Sequence, residues 1–241
     1  MTSQINLAGA KNGTPEWWLN HLLTKFDAPA APSRPTRRDI SERDRMTRRQ
    51  RLDHLWDYYT GNPPLPKVAE GYRDIFKNEM RKARSNYAPM AINAMLDRMG
   101  LQGIATAEDS DVGGDDIAAE IADISNLIAE LKDLFAFAFV MGESYVLLMP
   151  PTDASAVRLP VIRALDPRGA VGEPSRTNPM VMQAFLMRSW DPIEQQWRVD
   201  LFLPGKQYTA VGDGAMTWSW ADGGYEQTVD GIDELGGIPA V

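Results

Sequence analysis

Gly142 divides the chain into two periodicities, and that division constrains the fold more than any other sequence feature. Before it, apolar residues recur at helical spacing. Ile117, Ile121, Ile124, Ile128, Leu131 and Phe135 alternate steps of four and three, which predicts one long helix over 117–141. Nearly every residue from Leu134 to Val140 is apolar, so that end is expected to be buried all round. After Gly142 the period falls to two. Ser144 to Met149 reads as a buried strand stopped by Pro150 and Pro151. In Gln196 to Leu203, Trp197, Val199, Leu201 and Leu203 alternate with Arg198, Asp200 and Phe202, marking one buried face. Met216, Trp218 and Trp220 repeat the pattern.

Further strands are predicted at Leu159 to Leu165, Met180 to Trp190, Gln207 to Val211, Ala215 to Trp220 and Tyr225 to Val229. Asp213-Gly214 and Asp222-Gly223-Gly224 are expected hairpin turns. Helices first and an antiparallel meander second give an α+β class, with no internal repeat.

Three more helices precede Gly142. Thr14, Pro15 and Glu16 supply a cap, a first-turn proline and a favourable charge for a helix carrying Trp18, Leu19, Leu22, Leu23 and Phe26. An Ala/Pro/Ser-rich linker, Asp27 to Pro35, follows, so residues 1–35 read as an arm. A second helix is expected from Ile40 to Thr60. Asp39 and Glu42 have capping-box spacing, Leu52, Leu55, Trp56 and Tyr59 form the apolar face, and Gly61 is the stop. A third runs from Pro89 to Met99 through Ile92, Met95 and Leu96, ended by Gly100. The regions are thus 1–35, a helical 36–150 and a β-rich 151–241.

Charge is unevenly spread. Residues 1–85 hold 16 Lys/Arg against 10 Asp/Glu, net +6, and the remainder is net −14. In a ring of subunits this sets a positive face against a negative one; the plainer reading is two solvated surfaces. Arg43, Arg45, Arg48, Arg49 and Arg51 suggest phosphate contacts. Glu42, Asp44 and Asp53 are interleaved and no aromatic is placed for base stacking, so a solvated or subunit-facing helix surface is expected instead.

Chemistry is sparse. The absence of cysteine excludes disulfides and thiolate metal sites. His21 and His54 lack ligand spacing and are expected to pack or face solvent. Asp109, Asp111, Asp115 and Asp116 fail the EF-hand pattern and read as a solvated loop before a helix start. Gly142-Glu143-Ser144 lacks the second glycine of a nucleophile elbow and runs helix to strand. Gly205-Lys206 fails as a phosphate loop, with Asp200 where the first glycine belongs and Gln207 after the lysine. No catalytic, cofactor-binding or metal residue is assigned, no cofactor is expected, and the chain is expected not to be an enzyme. Met1 to Ala10 lacks the pattern of a secretory signal. The apolar stretch Leu134 to Met149 is interrupted at Gly142, so no membrane span is expected either.

Several segments resemble the portal proteins of tailed bacteriophages, closest to the SPP1-like class in phages of actinobacteria. Leu52 to Leu65 (LDHLWDYYTGNPPL) is similar to the family's early tyrosine–glycine helix end. Asn86 to Met90 (NYAPM) through Asp97 to Ile104 (DRMGLQGI) resembles its asparagine-led helix and following strand. Phe139 to Leu147 (FVMGESYVL) resembles its helix–glycine–strand junction. Leu165 to Arg168 (LDPR) and Leu235 to Val241 (LGGIPAV) also fit. The likeness covers most of residues 45–241.

The resemblance implies a ring of identical subunits, usually twelve, in the virion at a capsid vertex and made in the bacterial cytoplasm. It implies contact with the major capsid protein, the terminase motor, a head–tail adaptor and passing double-stranded DNA, through which the genome is packaged and ejected. The matched stretch corresponds to the wing. The family's subunit continues into stem and clip, so a reading frame continuing past Val241 is expected. No DNA-contacting residue is identified. Two other readings stand beside it: another head–tail connector or minor capsid protein, and a glycan- or peptide-binding β module using Trp190, Trp197, Trp218 and Trp220.

Overall fold

A computed structural model of the chain describes residues 4–28, 46–64, 86–102, 104, 116–150, 159–214, 217–226 and 232–241, without the side chains of 222–226, 234 and 235. The class is α+β, with helices concentrated in the first half and strands in the second. The helices are α1 (Pro15–Phe26), α2 (Arg48–Thr60), α3 (Ala88–Leu96), α4 (Asp116–Ser125) and α5 (Leu127–Met141). The strands are β1 (Tyr145–Met149), β2 (Val161–Leu165), β3 (Ala170–Pro174), β4 (Met182–Asp191), β5 (Gln196–Leu203), β6 (Lys206–Gly212) and β7 (Trp218–Glu226).

Strands β3 to β7 form an antiparallel meander in sequence order. Both of its faces are covered. On one, Leu19, Leu22 and Phe26 of α1 and Ile5 pack over Val171, Leu186, Val199, Leu201 and Trp218. The Thr14 Oγ1 cap, which accepts from Trp17 N at 3.4 Å, and Pro15 in the first turn start that helix as its sequence predicts. On the other face, Phe185 and Phe202 pack against Tyr145 and Leu147 of β1 and against Ile238 and Ala240 near the chain end. Sandwiching explains a departure from simple alternation in β5. Val199 and Leu201 face α1, yet Asp200 and Phe202, on the opposite side, are buried as well. The Asp200 carboxylate is accommodated there by Thr209 Oγ1, donating at 2.7 Å, and by the Arg198 guanidinium at 3.1 Å.

Strands β1 and β2 form a separate pair, and the chain end adds to β1, with Val146 N donating to Val241 O at 2.9 Å and Leu148 N to Pro239 O at 2.8 Å. The other edge of β2 is satisfied by side chains rather than by a strand. Ile162 N donates to Ser125 Oγ at 2.9 Å and Ala164 N to Glu130 Oε2 at 2.6 Å.

That arrangement accounts for the first correction. The expected single helix over 117–141 is two helices, broken at Asn126 in the left-handed region (φ 51, ψ 48), which asparagine tolerates better than most residues. The break presents both Ser125, fully buried, and Glu130 to the edge of β2. Nor is the 134–140 end buried all round: Ala136 is buried but Phe139 is exposed. The expected helix over 40–60 begins only at Arg48. Thr47 and Gln50 make the capping box there, while Asp39 and Glu42 lie outside the described residues. Helix α3 ends at Leu96, ahead of Met99. Strand β3 had no sequence signal, being only five residues with Gly172 and Pro174 among them. The turn expected at Asp222-Gly223-Gly224 lies inside β7. Thr209 pairs with Asp222 and Gln207 with Tyr225, and the intervening register shift is an irregularity that glycine backbone accommodates.

Gly142 closes α5 in the left-handed region (φ +82), where a Cβ would meet nothing within 4 Å. The cost of a side chain there is therefore conformational alone. Gly142→Ala is expected to destabilise by about 1–2 kcal/mol. Gly100→Ala, at an equally open position without positive φ, should stay within about 0.5 kcal/mol of wild type. Urea unfolding of the two variants checks the pair.

Candidate functional site

Three places in the described residues bring together side chains able to act on something else: a buried junction, a cationic cleft and an exposed apolar helical face.

The junction is centred on Arg48. The capped start of α2 turns this residue inward, leaving 15% of its side chain exposed. Its guanidinium donates to both carboxylate oxygens of Glu143 (Nε to Oε1, 3.1 Å; Nη2 to Oε2, 2.8 Å) and, through Nη2, to the carbonyls of Pro167 (3.2 Å) and Ala170 (3.0 Å). Tyr145 Oη donates to Glu143 Oε2 at 3.2 Å and accepts from Gly172 N at 3.4 Å. Burial, reinforced by the Glu143 charge, raises the Tyr145 phenol above its ordinary value. The expectation of a solvated or subunit-facing arginine surface is thus overturned at Arg48. Of the other arginines in that run, Arg49 lines the cleft described next, Arg51 is exposed, and Arg43 and Arg45 lie outside the described residues.

The cleft has a volume of about 300 Å³ and opens between α1, α2 and the β4–β5 hairpin. Phe26 and Trp197 hold Arg188, whose Cζ sits 6.0 Å and 4.1 Å from the two ring centroids. Arg188 Nη2 donates to Gly214 O at 3.2 Å, while its buried Nε has no partner among the described residues. Gly214 permits the approach. A Cβ there would come within 2.2 Å of the Trp197 ring, and its φ of +85 already favours glycine. Burial, and then the nearby Arg49, lower the Arg188 pKa from its ordinary value. On the other side Arg168 binds Asp166 in bidentate fashion (Nε to Oδ1 and Oδ2, 3.0 and 2.9 Å) and lies 4.8 Å over Trp56. Trp190, 49% exposed, meets Trp197 edge to face at 5.3 Å. Trp218 is 1% exposed and belongs to the core with Trp220 packed against it. The four tryptophans therefore do not line one groove, because Trp218 is covered within the core formed with Ile5 and α1.

The apolar face lies on the helices. Tyr87, Met90, Met95, Met99 and Leu101 are exposed around α3, as are Ile117 and Ile124 of α4 and Ile128 and Phe139 of α5. Ile117 and Ile128 are 61% and 65% exposed, so much of the predicted apolar seam faces outward. Leu96, Met99 and Leu101 oppose Ile128, Leu131 and Phe135 across a groove of about 250 Å³.

The remaining sequence candidates resolve into local structure. His21 stacks on Trp17 (5.0 Å, 5°) and approaches Glu173 at 3.4 Å; His54 packs edge to face on Tyr58. Gly205 is the β5–β6 turn (φ +72), donating its N–H to Gly237 O at 2.7 Å. Asp116 opens α4, whereas Asp109, Asp111 and Asp115 lie outside the described residues. Among the described residues no cluster of three or more His, Cys, Asp or Glu could hold a metal, and no helix is long and apolar enough to cross a membrane.

Glu143→Gln is expected to cost about 1.5–3 kcal/mol, because it strips charge from a partly buried arginine–carboxylate pair. A double-mutant cycle with Arg48→Met measures the coupling. At Glu173, burial would raise the carboxyl pKa, but Lys25 Nζ at 2.7 Å and then His21 hold it below its ordinary 4.5. A lowered folded-state value contributes stability above 4.5 that is lost as pH falls through the lowered value. Lys25→Met should flatten that part of the acid limb, read from thermal midpoints across the acidic range.

No protein-family model matches the chain, and no curated protein matches it.

Proposed function

We propose that the chain is a structural subunit of a tailed-phage portal ring, contributing wing-like structure to the conduit through which double-stranded DNA is packaged and ejected. In this reading it is not an enzyme, and it sits in the virion against the major capsid protein, the terminase motor and a head–tail adaptor.

The observation that carries the reading is the exposed apolar face of α3, α4 and α5. Isolated exposed hydrophobics are ordinary, but a group of large ones on neighbouring elements marks an interaction surface. A second copy of this chain is the occupant that suits it. The sequence carries +6 over residues 1–85 and −14 over the remainder, an imbalance that favours association of oppositely charged parts of two copies.

The residues behind the family resemblance also occupy joints of this fold. Gly61 caps α2 in the left-handed region, and Asn86 Nδ2 holds the same corner by donating to Tyr59 O at 2.8 Å. Gly142 turns α5 into β1. Asp166 to Arg168 forms the β2–β3 turn, and Pro239 to Val241 extends the β1 pair. A net-negative conduit is also reasonable for DNA that must slide, since a strongly basic surface grips phosphate.

Negative-stain electron microscopy of the product of the complete reading frame tests the proposal. Closed rings with a central hole that bind the packaging motor are expected. A monomer at high concentration would sink the ring, and rings that bind only tail-side proteins would turn the reading to a head–tail connector. Ile128→Glu should leave thermal stability nearly unchanged, as exposed substitutions do within about 0.5 kcal/mol, while abolishing ring formation.

A further inference from the structure

We propose that the cleft between α2 and the β4–β5 hairpin is a binding site for a single carboxylate carried beside an apolar or aromatic group, as on the end or an acidic side chain of a peptide. The proposal does not rest on the ring reading.

The fold gathers positive charge in the cleft without direct ion pairing of two of its arginines. Arg49 and Arg188 both line the cleft, and neither has a carboxylate within ion-pair distance among the described residues. Two like charges at one small concave site destabilise each other: burial and then the nearby Arg49 disfavour the charged form of Arg188, and the Asp27 carboxylate offsets only part of this. An anion between them relieves the repulsion and gains charge-assisted hydrogen bonds from guanidinium groups. Arg188 is pre-positioned for this role. Trp197 and Phe26 hold it by its faces, and Gly214 O takes one of its protons. Little side-chain entropy is then lost on binding.

Charge count selects the kind of anion. While Asp27 and Asp57 act on Arg188 and Arg168 from outside the lining, among the lining residues Arg49, Arg168 and Arg188 stand against Asp53 and Asp166, one net positive charge. One carboxylate neutralises it. A dianionic phosphate or a nucleic-acid strand would bring excess negative charge against Asp53 and Asp166. Trp190 supplies the rest of the specificity. It is half exposed at the mouth of the cleft, edge to face with Trp197, and offers a flat apolar surface to whatever carries the carboxylate.

The test is a nitrogen–proton NMR titration of the full chain, following the indole N–H signals of Trp190 and Trp197. N-acetylphenylalanine is the ligand and N-acetylphenylalaninamide the control, since they differ only in the carboxylate. Saturable shifts of both signals are expected with the acid, at least about tenfold weaker with the amide. Arg49→Gln should weaken binding of the acid by a similar factor, and Trp190→Ala should weaken it while leaving the spectrum away from the cleft unchanged. Equal binding of acid and amide, or wild-type affinity in Arg49→Gln, would overturn the proposal. So would inorganic phosphate or a single-stranded oligonucleotide displacing N-acetylphenylalanine at lower concentration, which would reassign the cleft to phosphate.

Discussion

The Arg48–Glu143 pair is the interaction on which the rest of the structure depends, because it joins segments that share no sheet or helix. Arg48 starts α2, and its backbone N–H donates to Ala28 O just past α1. Its guanidinium lies 5.7 Å from the Phe26 ring and binds Glu143 at the α5–β1 junction. It also binds the carbonyls of Pro167 in the β2–β3 turn and of Ala170 at the start of β3. Desolvating such a pair is costly, and Nη1 is buried without a partner among the described residues. What the pair contributes is therefore more registry than net stability: it fixes where the helical half meets the meander.

That registry decides which surfaces remain free. With α1 on one face of the meander and β1 with the chain end on the other, most apolar side chains of the sheet are covered internally, Trp190 excepted. Helices α4 and α5 are committed differently. They address β2 with polar groups, Ser125 and Glu130, that satisfy its edge, and this leaves Ile117, Ile124 and Ile128 pointing outward. An apolar helical face left uncovered by the chain's own sheet is the surface that the proposed ring would bury. The cationic cleft has a similar origin. It forms where α2 passes over the β4–β5 hairpin, and its arginines come from segments more than a hundred residues apart.

Parts of this were legible locally. Helix α1 and strand β5 were readable almost to the residue, because a cap with a proline and a period-two apolar pattern are signals carried by neighbours in sequence. Helix α2 was legible at its end but not its start, since Thr47 and Gln50 compete with an equally good capping pattern at Asp39 and Glu42. The break at Asn126 was not legible, since the apolar spacing runs through it without interruption. Nor was the burial of Arg48, which has the same sequence neighbourhood as the exposed Arg51.

The sequence by itself determined the α+β class, the switch at Gly142 and the lack of disulfide or thiolate-metal chemistry. These follow from periodicity, backbone freedom and residue type, all of which act over a few residues. The tertiary structure alone decided that the helix splits at Asn126, that Asp222 to Gly224 runs on as strand, that Arg48 turns inward and that Arg49 and Arg188 share a cleft. Each of these outcomes depends on a partner far away in the chain: an edge of β2 needing donors satisfied, a β6 strand to pair with, a carboxylate at position 143, a tryptophan at 197. Local spacing cannot encode such partners, because the energy that selects them appears only once the segments are packed together.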